Sequence, residues 1–196
     1  MKQFFKSLYI NNRFYSAALF LAGIFLVGFF YPVFFAVGKA GLLLWAVLFF
    51  ADILMLYRSS RKALHAERHL PERFSNGDKN SVSLNISNRY PFKVFLRIID
   101  ELPFQFQYRN FELRGVFQAD EQKKVTYSLR PVERGNYNFG KLNIYVSAII
   151  GLVRRRFQFS ETQSVAVYPS FVRMRQYEMM AVSDRLSEAG SKKIRK

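Results

Sequence analysis

The chain of 196 residues has no cysteine, two histidines and one tryptophan. Without cysteine it has no disulfide staple, no thiolate metal site and no cysteine nucleophile. Acidic residues are scarce, with 14 Asp plus Glu against 30 Lys plus Arg and a formal net charge of +16. No Gly-rich phosphate loop and no Gly-x-Ser-x-Gly elbow occurs. Asp100-Glu101 and Asp120-Glu121 are adjacent acids at strand ends or turns, where solvated carboxylates are ordinary. What the chain has in quantity is apolar. Half of its residues are hydrophobic, 17% are aromatic and 22 are Phe, which excludes disorder.

Eleven of the 22 Phe fall in residues 1–57. Between Tyr15 and Tyr57 the only charged residues are Lys39 and Asp52. The stretch divides into two apolar segments, Tyr15–Val37 and Ala40–Tyr57, with a turn expected at Gly38-Lys39. A hydrocarbon core of ~30 Å needs about 20 helical residues, so both segments are expected to span. A cleaved signal peptide would not be followed at once by a second span, and both segments are apolar all round, unlike a soluble core helix. Pro32 is expected to kink or end the first helix near its far end. Lys2, Lys6 and Arg13 precede the pair, and Arg58, Arg61 and Lys62 follow it. The positive-inside rule then places both termini in the cytoplasm and the turn outside.

Asp52 is the only acid in the spans and a candidate intramembrane polar site. An aspartate at a span centre costs roughly 2.5–3.5 kcal/mol, but Asp52 lies only five residues before Tyr57. It reads first as a near-interface carboxylate that reaches water or pairs with a basic flank. The alternative is a proton or ion site, or a polar contact to a partner helix.

Residues 58–79 read as a juxtamembrane linker, with the second helix running on to about Leu64. His65-Ala66-Glu67-Arg68-His69 has the helical i, i+4 spacing of metal ligands. It is not His-Glu-x-x-His, and no third histidine exists. Pro71 also argues against a helix here. The pair reads as surface histidines.

From residue 80 the period becomes two. Val82, Leu84 and Ile86 alternate with polar residues. So do Val94, Leu96 and Ile98, then Val125, Tyr127 and Leu129, then Ile144 and Val146, and Val165 and Val167. Alternation with interspersed Gly and Pro breakers predicts seven to nine short strands over residues 80–170. This is the pattern of an all-β, antiparallel, immunoglobulin-like sandwich.

The charge is spread along the chain: +3 in residues 1–57, +3 in 58–79, +6 in 80–170 and +4 in 171–196. Nucleic-acid binding would call for a dense patch or a reader module. The one tight cluster, Arg154-Arg155-Arg156, lies in a predicted strand, Leu152–Phe159, so its arginines alternate between faces. A basic surface near anionic lipid is the simpler account, and no nucleic-acid partner is expected.

Several short motifs follow in order: Asn76-Gly77-Asp78, Asp100-Glu101-Leu102-Pro103, Arg134-Gly135-Asn136-Tyr137-Asn138-Phe139-Gly140, Ile150-Gly151-Leu152-Val153 and Val167-Tyr168-Pro169. Behind a double membrane span, this order resembles the N-terminal half of the bacterial domain of unknown function 58 family, over almost all of residues 1–170. The resemblance implies a cytoplasmic-membrane protein working with a MoxR-type AAA+ ATPase and von Willebrand factor A domain proteins. The family usually continues into a von Willebrand factor A-like domain, and no Asp-x-Ser-x-Ser motif for it occurs here. Residues 171–196 are therefore expected to be a basic tail or a linker to a missing domain, and the chain a fragment or short form. Gln176–Glu188 could form a short helix, but one that would hardly stand alone in water.

The motif residues have structural readings. Gly135 and Gly140 bracket a strand in which Tyr137 and Phe139 share a face, and Arg134 could tie a turn. Gly151 permits a bend between strands. Tyr168 and Pro169 close the last strand, because proline cannot donate to the ladder. The expectation is a non-catalytic, membrane-anchored scaffold without catalytic residues, metal or cofactor. It has a basic N-terminus at 1–14, a two-helix anchor at 15–57, the linker at 58–79 and the sandwich at 80–170. The alternative is a membrane sensor or transport component using Asp52 within the bilayer.

Overall fold

The computed structural model describes residues 6–58, 63–159, 162–170 and 179–180. The expected basic tail and most of the candidate Gln176–Glu188 helix lie outside the described residues. Two helices form an apolar hairpin: α1 (Asn12–Gly28) and α2 (Pro32–Arg58). The strands are β1 (Leu8–Ile10), β2 (Leu64–His69), β3 (Arg73–Ser75), β4 (Asn80–Asn88), β5 (Val94–Asp100) and β6 (Leu113–Phe117). They continue with β7 (Gln122–Leu129), β8 (Gly135–Phe139), β9 (Leu142–Ser147), β10 (Val153–Phe159) and β11 (Gln163–Tyr168).

The helical turn is not where the sequence put it. It falls at residues 29–31, closed by Tyr31 N–H to Val27 O (3.1 Å) and Phe34 N–H to Tyr31 O (3.0 Å). Pro32 opens α2 rather than kinking α1. Proline suits the first helical position, where its missing N–H would be unpaired anyway. Gly38, read as the turn, is instead a packing position. A Cβ there would lie 3.0 Å from the Phe25 ring, and one on Gly28 would lie 2.8 Å from the Phe35 backbone nitrogen. Lys39 therefore sits inside α2, with its ammonium 4.7 Å from the Phe35 ring centroid, one turn toward the helix start.

One described helix, Pro32–Arg58, is long and apolar enough to cross a membrane. α1, with 17 residues, is shorter than the expected first span. Residues 32–51 of α2 rise about 30 Å, the thickness of a hydrocarbon core. Side chains such as Leu43, Phe50 and Leu54 are exposed along it.

The β part is a sandwich. One sheet has the order β1-β10-β9-β5-β6, and two three-stranded sheets have the orders β2-β4-β7 and β3-β11-β8. All pairings are antiparallel except β3 with β11, which is parallel. Inward residues of the five-stranded sheet (Leu96, Ile98, Ile144, Val146) pack with those opposite (Val82, Leu84, Ile86, Phe74, Phe139) in one core. The eight described strands within residues 80–170 arise from the alternation, because the apolar residues of the period-two rows are buried, with Val125 partly so.

The sandwich is larger than residues 80–170. β1 pairs with β10 through Leu8↔Arg155, Tyr9↔Arg154 and Ile10↔Val153. The segment expected to be a basic terminus thus supplies an edge strand. The expected linker supplies β2 and β3, with α2 ending at Arg58 rather than running on to Leu64. His65 and His69 lie on strand β2, not on a helix, and flank Glu67 on its exposed face.

Candidate functional site: the root of the helical hairpin

Both ends of the hairpin are built into the five-stranded sheet. At the α1 end, Asn11 caps the helix and donates its N–H to Leu152 O (2.9 Å). Its side-chain amide donates to Gly151 O (2.8 Å), and its side-chain oxygen accepts from Arg154. Gly151 has φ +69°, the left-handed conformation that glycine adopts without a Cβ penalty. This places the bend between β9 and β10 against the start of α1.

At the α2 end, Asp52 is fully buried. Its Oδ2 accepts from the N–H groups of Leu152 (2.7 Å) and Val153 (2.8 Å). Charge-assisted bonds to backbone N–H are among the stronger hydrogen bonds. One turn later Leu56 is buried in the sandwich core. The last carbonyls of a helix lack intrahelical partners, and here Leu56 O accepts from Arg155 Nη1 (2.6 Å) and Tyr90 Oη (3.1 Å). The Arg155 guanidinium also stacks at 4.7 Å from the rings of both Tyr57 and Phe157. Burial pushes the Tyr90 hydroxyl up to about 12 against the opposing pull of Arg155. Asp52 therefore joins the helical hairpin to the sandwich. The expectation of a carboxylate that reaches water or pairs with a basic flank is corrected, because its partners are the backbone N–H groups at the start of β10.

Arg154 and Arg156 point away from the core while Arg155 points into it. The outer face of the five-stranded sheet collects arginines: Arg97 on β5 stands directly across from Arg114 on β6. Like charges in opposed positions are destabilising. Glu112 relieves them, with Oε2 2.5 Å from Arg97 Nη2 and Oε1 2.5 Å from Arg114 Nη2. The hydrogen bond from Arg114 leads the effects that hold the Glu112 carboxyl below its ordinary range. Where this face meets the root of α1 lies a groove of about 530 Å³. Arg13, Arg97, Arg114 and Arg154 line it, together with Asn11, Phe95 and Val116.

The motif residues are scattered rather than convergent. Tyr137 is buried and donates its hydroxyl to Glu133 O (3.0 Å). Phe139 is buried beneath the Arg68 guanidinium, at 5.0 Å. Gly140 donates its N–H to Glu101 O (2.8 Å) and has no room for a Cβ beside the Glu101 side chain. Gly135 has φ +135°. Arg134 is exposed, Tyr168 is partly exposed with Arg73 5.5 Å from its ring, and Pro169 follows the end of β11.

A buried polar network overturns the reading of Asp100 as an ordinary solvated carboxylate. Arg68 Nη1 lies 2.5 Å from Asp100 Oδ1, both side chains fully buried. Tyr127 Oη donates to the other Asp100 oxygen, and Arg68 also donates to Gly140 O (3.0 Å) and Gln163 Oε1 (3.2 Å). Burial outweighs the Arg68 charge and raises the Asp100 carboxyl above its usual value. The available signal was Leu64-x-Ala66-x-Arg68, an alternation that puts Arg68 on the inward face of β2. Among the described residues no group of three His, Asp or Glu is placed to hold a metal ion.

No protein-family profile matches the chain, and no curated protein matches it. Solved structures resemble just over half of it. The ASH/PapD-like domain of human CEP192 aligns at 12% identity and TM-score 0.38, covering 54% of this chain and 86% of that one. A CARDB domain from Pyrococcus furiosus aligns at 16% identity and TM-score 0.35, covering 54% and 94%. Native alpha-2-macroglobulin from Escherichia coli aligns at 15% identity and TM-score 0.41, covering 54% of this chain and 16% of that one. Likenesses this weak carry no functional argument.

Proposed function

We propose that the protein is a non-catalytic, membrane-anchored scaffold. Its helical hairpin sits in the bacterial cytoplasmic membrane, and its immunoglobulin-like sandwich holds a partner at the cytoplasmic face. The observation that carries this reading is the double fixing of the hairpin root, by Asn11 and Arg154 at α1 and by Asp52 and Arg155 at α2. A flexible linker would let a sandwich wander, whereas buried hydrogen bonds to helix and strand orient it relative to the bilayer. The uncharged tip at residues 29–31 and the basic flanks on both sides of the root favour both termini inside. The partner that the sequence resemblance implies is a MoxR-type AAA+ ATPase, with von Willebrand factor A domain proteins.

The alternative of a sensor or transport component needs Asp52 open to an ion path. Its side chain is instead buried, with Oδ2 held by the N–H groups of Leu152 and Val153. Detergent-solubilised full chain should capture a MoxR-type ATPase in a pull-down. No enrichment over an unrelated membrane protein would count against the scaffold reading. Reporter fusions at Phe30 and Lys196 test the topology, with outside and inside signals expected respectively.

A further inference from the structure

We propose that the arginine-lined groove at the root of α1 binds the phosphate of an anionic phospholipid headgroup. The inference rests on the membrane-anchored reading and adds a specific ligand site to it.

Four guanidinium groups, those of Arg13, Arg97, Arg114 and Arg154, line the groove. They come from α1, β5, β6 and β10, so the fold rather than local sequence gathers them. The one carboxylate paired into the cluster, Glu112, is taken up by Arg97 and Arg114. Arg154 is held below its ordinary value, first by desolvation and then by repulsion from Arg97 and Arg114. An arrangement that places mutually repelling cations around a cleft is stabilised by an anion. Guanidinium groups suit phosphate because their planar forks donate in pairs.

Position and chemistry favour lipid over a soluble phosphate. Arg13 is the second residue of α1, so the groove opens at the base of the hairpin. Phe95 and Val116, cross-strand partners on the outer face, put exposed apolar surface beside the arginines. A basic floor with an apolar lip fits an amphiphile better than an inorganic ion. Anionic lipid attracts basic residues only within a short distance of the surface, and the hairpin root supplies that proximity.

The test uses the full chain purified in mild detergent. Native mass spectrometry counts bound phosphatidylglycerol and phosphatidylcholine at matched concentrations. The wild type should retain phosphatidylglycerol preferentially, and Arg97→Gln/Arg154→Gln should retain it roughly tenfold less or weaker. Arg114→Gln, on an exposed side chain, repeats the test where folding is not at risk. Lys123→Gln/Lys124→Gln, on the distant strand β7, should match the wild type. Equal retention of the two lipids, or no loss in either groove variant, overturns the inference. Displacement of lipid by millimolar inorganic phosphate assigns the groove to a soluble anion and overturns its lipid half. Displacement by a short DNA duplex assigns it to nucleic acid and does the same. Carbonate-resistant membrane fractionation of the wild type is run alongside. If the chain is extracted, the anchoring reading itself has failed. If it is retained without lipid preference, only the groove assignment has.

Discussion

Asp52 of α2 accepts hydrogen bonds from Leu152 and Val153 of the β9–β10 connection, a hundred residues further along the chain. One carboxylate thus ties the apolar helix α2 to the sheet that β1 extends on the other side of the hairpin. Replacing it leaves the N–H groups of Leu152 and Val153 buried without that acceptor. Asp52→Ala is expected to destabilise the folded protein by about 2–4 kcal/mol, from the cost of unpaired buried donors. Denaturant titration in micelles measures this. A change below about 0.5 kcal/mol, the range of a neutral surface substitution, would remove Asp52 from the joint.

Tyr90 makes the same joint sensitive to alkali. Its hydroxyl is raised to about 12 in the folded protein, above the ordinary 10. Between those values the unfolded chain loses the Tyr90 proton while the folded chain keeps it. The folded state then binds more protons, so stability falls as pH rises. The contribution is complete below pH 10 and gone above pH 12. Tyr90→Phe should flatten that part of the stability curve. An unchanged slope between pH 10 and 12 in the variant would assign the alkaline loss to other groups, such as Tyr127, which burial also raises.

The Arg68–Asp100 pair predicts an asymmetric response. Arg68→Met leaves Asp100 enclosed without its cation and drives its carboxyl further upward, and a loss of about 3–5 kcal/mol is expected from breaking one side of a buried pair. Arg68→Met/Asp100→Asn should recover part of that loss. A double-mutant cycle reads the coupling. Strict additivity of the two single changes would show that the pair does not act as a unit.

Absence of cysteine makes the helix register directly testable. With the turn at residues 29–31, Phe25→Cys/Gly38→Cys should cross-link on oxidation, because Gly38 faces the Phe25 ring. A turn at Gly38-Lys39 would instead bring Val27→Cys and Phe50→Cys together. Cross-linking of the second pair and not the first would restore the original hairpin register.

The apolar material of residues 15–57 and the period-two rows after residue 80 were legible because each leaves a local pattern. A helix in lipid needs apolar residues on every face, and a half-buried strand needs them at alternate positions. Pro32 carried a local signal for the turn as well, since proline opens helices more readily than it sits inside them. Gly38-Lys39 outweighed it on composition alone, although Gly38 serves close helix packing. β1 left no pattern. Three residues are too few to show a period, and their pairing with β10 is decided by what the far end of the chain presents.

From its sequence alone the protein was determined to combine an apolar helical segment with a β-sandwich, because burial imposes the strand periodicity residue by residue. Only the tertiary structure decided how the two are joined. Asp52 meets Leu152 and Val153, and the Leu56 carbonyl meets Tyr90 and Arg155, across 34 to 101 residues of chain, and the groove arginines converge from four separate elements. No spacing rule connects such residues. Their partnership follows from the cost of burying a charge or a helix-end carbonyl without a partner, which the folded chain avoids by bringing distant donors and acceptors together.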